Sequence, residues 1–207
     1  MVRVEKLEHN GFKYLLYYPI NYVEGKKYPV MFHLHGAGGR GIDFEGFEGS
    51  PLLAILNKGD SPINHGFCVF PQCSGDSWFD RFSELLEFTK YIYNEPYVDK
   101  KRFNASGISM GGYGIYQVMM CLPKLFNKAI VCCGGGMYWN AYRMSNIKIR
   151  IFHGEKDEAV FPEESRRMNA RLKEAGTDVV LTIYPECDHD CWNKTYSNFD
   201  LLSWYFE

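Results

Sequence analysis

The residues most able to do chemistry are a serine and its flanking glycines, Gly107-Ile108-Ser109-Met110-Gly111. They lie between a strand-like lead-in, Arg102 to Ser106, and a helix-like run from Gly112 to Met120. On a sharp strand-to-helix turn, a serine is forced into a strained backbone conformation that exposes its hydroxyl and leaves no room for large neighbours. The helix that follows aims its free N–H groups and positive end at the place where an oxyanion would form. The chemistry this suits is nucleophilic attack on a carbonyl.

A serine hydroxyl is a weak nucleophile until a base takes its proton, and the base needs a third group to orient it. Six histidines compete for that role. His9 lies near the N-terminus and His65 just before a strand. His33 falls inside a strand and reads as structural. His35 and His153 precede glycines at strand ends and read as loop braces. His189 is placed differently, in the polar loop Glu186-Cys187-Asp188-His189-Asp190 between the last strand and a terminal helix. The chain order Ser…Asp/Glu…His then puts the acid in Phe152 to Val160. Asp157 is the choice there, with Glu155 and Glu158 as alternatives. Asp188 and Asp190 stand too close to His189 in sequence to reach its far ring nitrogen.

The fourth part is His35-Gly36-Ala37-Gly38-Gly39, whose glycines let backbone N–H groups turn inward. The expected oxyanion donors are the N–H groups of Ala37 and Met110, the latter following the nucleophile. Neither G-x-x-x-x-G-K-[ST] nor G-x-G-x-x-G occurs, so a phosphate cradle is the poorer reading of this loop. His33, His35 and His153 match no zinc pattern, and neither a metal nor a cofactor is expected. Cys187 and Cys191 bracket His189, and the sequence leaves their redox state and role open.

The elements that must position these groups follow from hydrophobic periodicity. Strands are expected at Phe12–Tyr18, Val30–Leu34, Phe67–Phe70, up to Ser106, Lys128–Cys133, Ile147–Ile151 and Val179–Tyr184. Helices are expected from Ser50-Pro51 through Lys58 with Gly59 as the stop, over Phe82–Tyr93, after Ser109, from Pro162 to Gly176, and over Asn193–Phe206. Strand followed by helix, repeated with short connections, means a mostly parallel sheet of about eight strands covered on both faces. Ligands bind beyond the carboxyl ends of such strands, where each chemical residue above falls.

Composition narrows the class. With 207 residues and no linker-like or repeated segment, the chain is expected to form one domain over residues 1–207. A net charge of -2 without a basic block gives no footprint for nucleic acid or an anionic membrane. Seven cysteines without a disulfide framework, and no apolar leader at the N-terminus, favour reduced thiols in a cytoplasm. Oligomeric state is not readable from these features.

Taken together, these residues resemble an α/β-hydrolase, and more narrowly the compact esterases of the carboxylesterase, dienelactone-hydrolase and polyhydroxybutyrate-depolymerase-like branches, feruloyl and acetyl esterases included. His153-Gly154-Glu155-Lys156-Asp157-Glu158-Ala159-Val160 is similar to that family's acid-bearing turn, H-G-x-x-D-x-x-V. Asp188-His189-Asp190-Cys191-Trp192 is similar to its histidine loop. The resemblance implies Ser109 as nucleophile, Asp157 as acid, His189 as base, and Ala37 and Met110 as oxyanion donors. Dienelactone hydrolases proper use cysteine where this chain has Ser109. Gly134 to Asn146 is too short for the helical cap of many lipases, which implies an open cleft. Aromatics on the active-site loops (Trp78, Phe79, Tyr138, Trp139 and Trp192) are expected to form a wall against an aromatic acyl group or a sugar ring. The expected activity is hydrolysis of short-chain or aromatic esters, carbohydrate-linked ones among them. A peptidase or thioesterase would use the same residues, and a non-catalytic binding protein on this fold would lack one of them.

Overall fold

Alternating apolar side chains build one sheet in the computed structural model, which describes residues 2–47, 50–57 and 61–207. Its strands are β1 (Val4–His9), β2 (Phe12–Tyr17), β3 (Tyr28–Leu34), β4 (Phe67–Pro71), β5 (Val98–Ile108), β6 (Lys128–Cys132), β7 (Lys148–Gly154) and β8 (Val179–Tyr184). They lie in the order β1-β2-β4-β3-β5-β6-β7-β8. The β1–β2 and β2–β4 pairs are antiparallel, and every pair from β4 to β8 is parallel.

The helices are α1 (Pro51–Leu56), α2 (Phe82–Asn94), α3 (Met110–Cys121), α4 (Glu163–Glu174), α5 (Trp192–Tyr196) and α6 (Phe199–Phe206). Alternation along the strands feeds two cores. Val30, Phe32, Leu34, Ala129 and Val131 pack with α2, α3 and α4 on one face. Met31, Cys68, Phe70, Ile130 and Cys132 pack with α1, α5 and α6 on the other. The sheet is thus covered on both sides, and its parallel strands end along one rim. Among the described residues, no helix is long and apolar enough to cross a membrane.

Three details depart from expectation. β1 pairs with β2 through Asn10-Gly11, whose φ values of 48° and 75° make the turn. That dipeptide was the available hairpin signal, but Glu5, Lys6 and Glu8 blur the apolar alternation of an edge strand. The terminal helix is broken in two, because Asn198 turns extended and its side chain accepts the Leu201 N–H to cap α6. Ser50 precedes α1 as expected but makes no side-chain cap bond. Lys58 and Gly59, the expected end of that helix, lie outside the described residues.

Candidate active site

Ser109 sits where β5 turns into α3, with φ 52° and ψ −122°. A non-glycine residue there is strained by roughly 1–3 kcal/mol, so the surroundings must hold it. They do so by close backbone packing. A Cβ on Gly111 would lie 2.0 Å from the Leu34 carbonyl oxygen, and one on Gly107 would lie 2.4 Å from the Gly111 carbonyl oxygen. Only glycine permits these approaches. The Ser109 N–H donates to the Cys132 carbonyl at 3.0 Å, and the Gly112 N–H donates to the Ser109 carbonyl at 2.8 Å.

The acid turn after β7 and the loop after β8 bring two further groups to this serine. His189 Nε2 lies 2.8 Å from Ser109 Oγ, and His189 Nδ1 lies 2.7 Å from Asp157 Oδ2. Asp157 is buried, while His189 keeps 28% of its side chain exposed. The other carboxylate oxygen accepts the Ala159 and Val160 N–H groups at 2.9 and 2.8 Å. Those bonds fix the carboxylate, so Nδ1 of His189 is the donor and Nε2 is free to accept from the serine hydroxyl. The alternative acids are elsewhere. Glu155 pairs with Arg166 at 2.6 Å, and Glu158 is exposed.

His153 joins the same carboxylate, a contact that reading it as a loop brace missed. It is fully buried, with Nδ1 2.7 Å from Ser165 Oγ and Nε2 3.1 Å from Asp157 Oδ2 and 2.8 Å from the Val160 carbonyl. Facing two acceptors, Nε2 must carry a proton. The i, i+4 spacing of His153 and Asp157 was the signal in the sequence. The acid and base loops also touch directly. The Lys156 N–H donates to the Cys187 carbonyl at 3.0 Å, and a Cβ on Gly154 would meet the Asp188 carbonyl oxygen at 1.9 Å.

The glycine loop after β3 passes against the nucleophile, since a Cβ on Gly36 would lie 3.4 Å from Ser109 Cβ. Among the described residues, the N–H groups of Ala37 and Met110 have no backbone acceptor. His35 braces this loop from below. Its Nδ1 donates to the Gly36 carbonyl at 2.6 Å and its Nε2 accepts the Cys73 N–H at 3.0 Å. Burial holds its pKa down at about 4. His33, inside β3, bonds Ser106 Oγ at 3.0 Å, and burial lowers its pKa to about 3.

A cavity of about 350 Å³ opens over Ser109 and His189, walled by Gly36 to Gly39, Phe47, Ile108 and Trp192. Trp192 stands edge-on to the His189 ring at 5.4 Å and lines this cavity. The other expected wall residues need correcting. Trp78 is buried in the core, and its indole N–H donates to the His35 carbonyl at 3.0 Å, so it supports the glycine loop from inside. Phe79 lines a separate cleft with Phe82, Tyr113 and Met137. Tyr138 and Trp139 border a third hollow with Tyr142, and Trp139 is 60% exposed. The shared loop positions of these aromatics did not reveal that the chain there turns them away from Ser109. Phe47, which no motif marked, takes their place.

Known proteins share sequence and fold with this chain. The chain is 22% identical over 227 residues to dipeptidyl-peptidase 5 of Porphyromonas endodontalis, an alignment covering 87% of this chain and 33% of that protein. It spans about a third of the length of the dipeptidyl-peptidase 5 proteins it matches. Its structure superposes on that of a thermostable esterase with a TM-score of 0.82 at 29% identity, over 99% of this chain and 62% of the other. The feruloyl esterase module of Clostridium thermocellum shares the fold with a TM-score of 0.73 at 16% identity, over 99% and 88%. These neighbours are α/β-hydrolases, and the chain has their fold. The Prolyl oligopeptidase family profile matches residues 74–146 and 137–206, which include Ser109, Asp157 and His189. This chain belongs to the prolyl oligopeptidase family.

Proposed function

We propose that this protein hydrolyses esters of short-chain or aromatic acids, of the acetyl or feruloyl type, through a Ser109–His189–Asp157 acyl-enzyme mechanism. The observation that carries this reading is the unbroken run of hydrogen bonds from Ser109 Oγ through His189 to Asp157, set beside the glycine loop. Ser109 Oγ attacks the ester carbonyl while His189 Nε2 takes its proton. Asp157 stabilises the imidazolium through Nδ1–H. The tetrahedral oxyanion is held by the N–H groups of Ala37 and Met110. His189 then gives its proton to the departing alcohol, and water repeats the attack on the acyl-enzyme with the same base.

Size and lining favour a small acyl group. The 350 Å³ cavity is near the lower end of ligand sites, and Phe47, Ile108 and Trp192 give it apolar walls suited to a methyl group or a single ring. The alcohol side is left to the open rim, which suits a carbohydrate-linked ester. Similarity to a thermostable esterase supports the ester reading. The family match and the dipeptidyl-peptidase relatives support a second one, cleavage of a peptide bond by the same residues.

The test is hydrolysis of p-nitrophenyl esters from acetyl to octanoyl, of methyl ferulate and of a dipeptide p-nitroanilide, by wild type and Ser109→Ala. Ester turnover that falls off beyond short chains and vanishes in the variant is the expected result. Turnover of the anilide alone would replace the ester reading with the peptidase one. Equal activity in both proteins would remove Ser109 as the nucleophile.

A further inference from the structure

The end of β6 places a thiol beside the acid and the base, in a role the proposed mechanism does not use. The Sγ of Cys133, a carboxylate oxygen of Asp157 and a ring nitrogen of His189 all lie within 4.8 Å of one another. From this juxtaposition we propose that Cys133, Asp157 and His189 form an inhibitory site for a thiophilic divalent cation such as Zn²⁺.

Donor chemistry and spacing support the assignment. Thiolate, imidazole and carboxylate are the ligands zinc takes, at about 2.0–2.3 Å, which puts tetrahedral donors roughly 3.3–3.8 Å apart. Closing donors that stand as far apart as 4.8 Å onto an ion therefore needs them to approach by up to about 1–1.5 Å. A water can complete the fourth position. A soft sulfur ligand selects Zn²⁺, Co²⁺ or Cd²⁺ over Mg²⁺ and Ca²⁺. Of the three donors, His189 lines the cavity, so an ion arriving from solvent meets it first, while Cys133 and Asp157 are buried.

Backbone geometry fixes the thiol in place. Cys133 has φ 41°, a left-handed conformation that glycine adopts at far lower cost, yet the residue there is cysteine. Its N–H donates to the Phe152 carbonyl at 2.8 Å, and the next residue, Gly134, is pressed against Gly112 of α3. The thiol therefore sits in the bend directly after β6, held there by a backbone hydrogen bond and by close packing of the next residue. On binding, the cation replaces the thiol proton, which passes to water, and the Asp157–His189 hydrogen bond gives way to one bond from each residue to the cation; where Nδ1 is the ligating nitrogen, its proton moves to Nε2 or to water. The inhibitory half of this inference rests on the function proposed above; the binding half does not.

Two measurements separate them. Co²⁺ is added to the reduced wild type and to Cys133→Ala, Cys133→Gly, His189→Ala and Cys187→Ala, and the near-ultraviolet thiolate-to-cobalt charge-transfer band is recorded. Glycine suits the φ of residue 133, so Cys133→Gly keeps the test available if Cys133→Ala fails to fold. The band is expected in wild type and Cys187→Ala, lost in both Cys133 variants, and weakened in His189→Ala. In parallel, Zn²⁺ is titrated against ester hydrolysis with Mg²⁺ as control. The half-inhibitory Zn²⁺ concentration is expected to rise at least tenfold in Cys133→Gly, measured against that variant's own uninhibited rate. A band that persists without Cys133, no band in wild type, or unchanged Zn²⁺ sensitivity would overturn the proposal. Absence of ester turnover in wild type would count against the proposed function and leave the cobalt result to decide the site.

Discussion

Two histidines meet one oxygen. His189 and His153 both donate toward Asp157 Oδ2, at 2.7 and 3.1 Å. His153 is enclosed, with both nitrogens engaged by fixed protein groups. His189 is partly open, and its second nitrogen faces a serine hydroxyl at the floor of a cavity. The same side chain with the same acid thus holds the turn in one place and can move a proton in the other. What differs is the partner of the second nitrogen and access to solvent. His33 and His35 stand with His153 in this respect, since burial keeps both neutral.

The sharpest way to break this contrast is His189→Ala. It should lower kcat by about 10⁶-fold while leaving the melting temperature nearly unchanged, because the ring is partly exposed and Asp157 keeps the N–H groups of Ala159, Val160 and His153. Asp157→Asn comes next, at about 10⁴-fold in kcat, since an amide no longer holds His189 in the required tautomer. Unlike the first variant it should also melt earlier, because the Ala159, Val160 and His153 N–H groups lose a charged acceptor.

Acid should act on the enclosed group. His33 and His35 have folded pKa values of about 3 and about 4 against about 6.5 unfolded, so the unfolded chain binds more protons between those limits. Their contribution is fully present above pH ~6.5 and is lost as pH falls towards ~4, by about 1.4 kcal/mol per pH unit for each. Chemical denaturation from pH 7 to pH 4 checks this. A midpoint that did not fall would mean that neither ring is buried neutral.

The smallest expected effect is His153→Gln. Losing its bond to Asp157 should cost about 1–2 kcal/mol of stability and roughly tenfold in kcat, with KM little changed. If kcat instead fell as far as in His189→Ala, the division between a structural and a proton-moving histidine would fail.

How much of this was legible in the sequence depended on whether a local pattern carried the information. The parallel strands, the serine turn and the histidine loop announce themselves, because backbone strain and strand order restrict which residues fit there. Asp157 could be preferred over Glu155 and Glu158 but not separated from them, since only the fold shows which carboxylate points inward. The aromatic wall failed for the same reason. Trp78 on a rim loop and Trp192 at the first position of α5 both lie near the rim, yet one faces the core and the other the cavity. Side-chain direction in an irregular loop is set by tertiary packing, which no local periodicity encodes. β1 was hidden by the charges of an edge strand, although Asn10-Gly11 spelled its turn.

The contact between the acid and base loops has a consequence for motion. Gly154 against Asp188, together with the Lys156-to-Cys187 bond, couples the two segments, whereas Ser109 is carried separately on β5 and α3. Thermal breathing of the rim would then move Asp157 and His189 as one body over a stationary serine. Each excursion would open and close a single hydrogen bond, the one from Ser109 to His189, and return the acid–base pair already assembled.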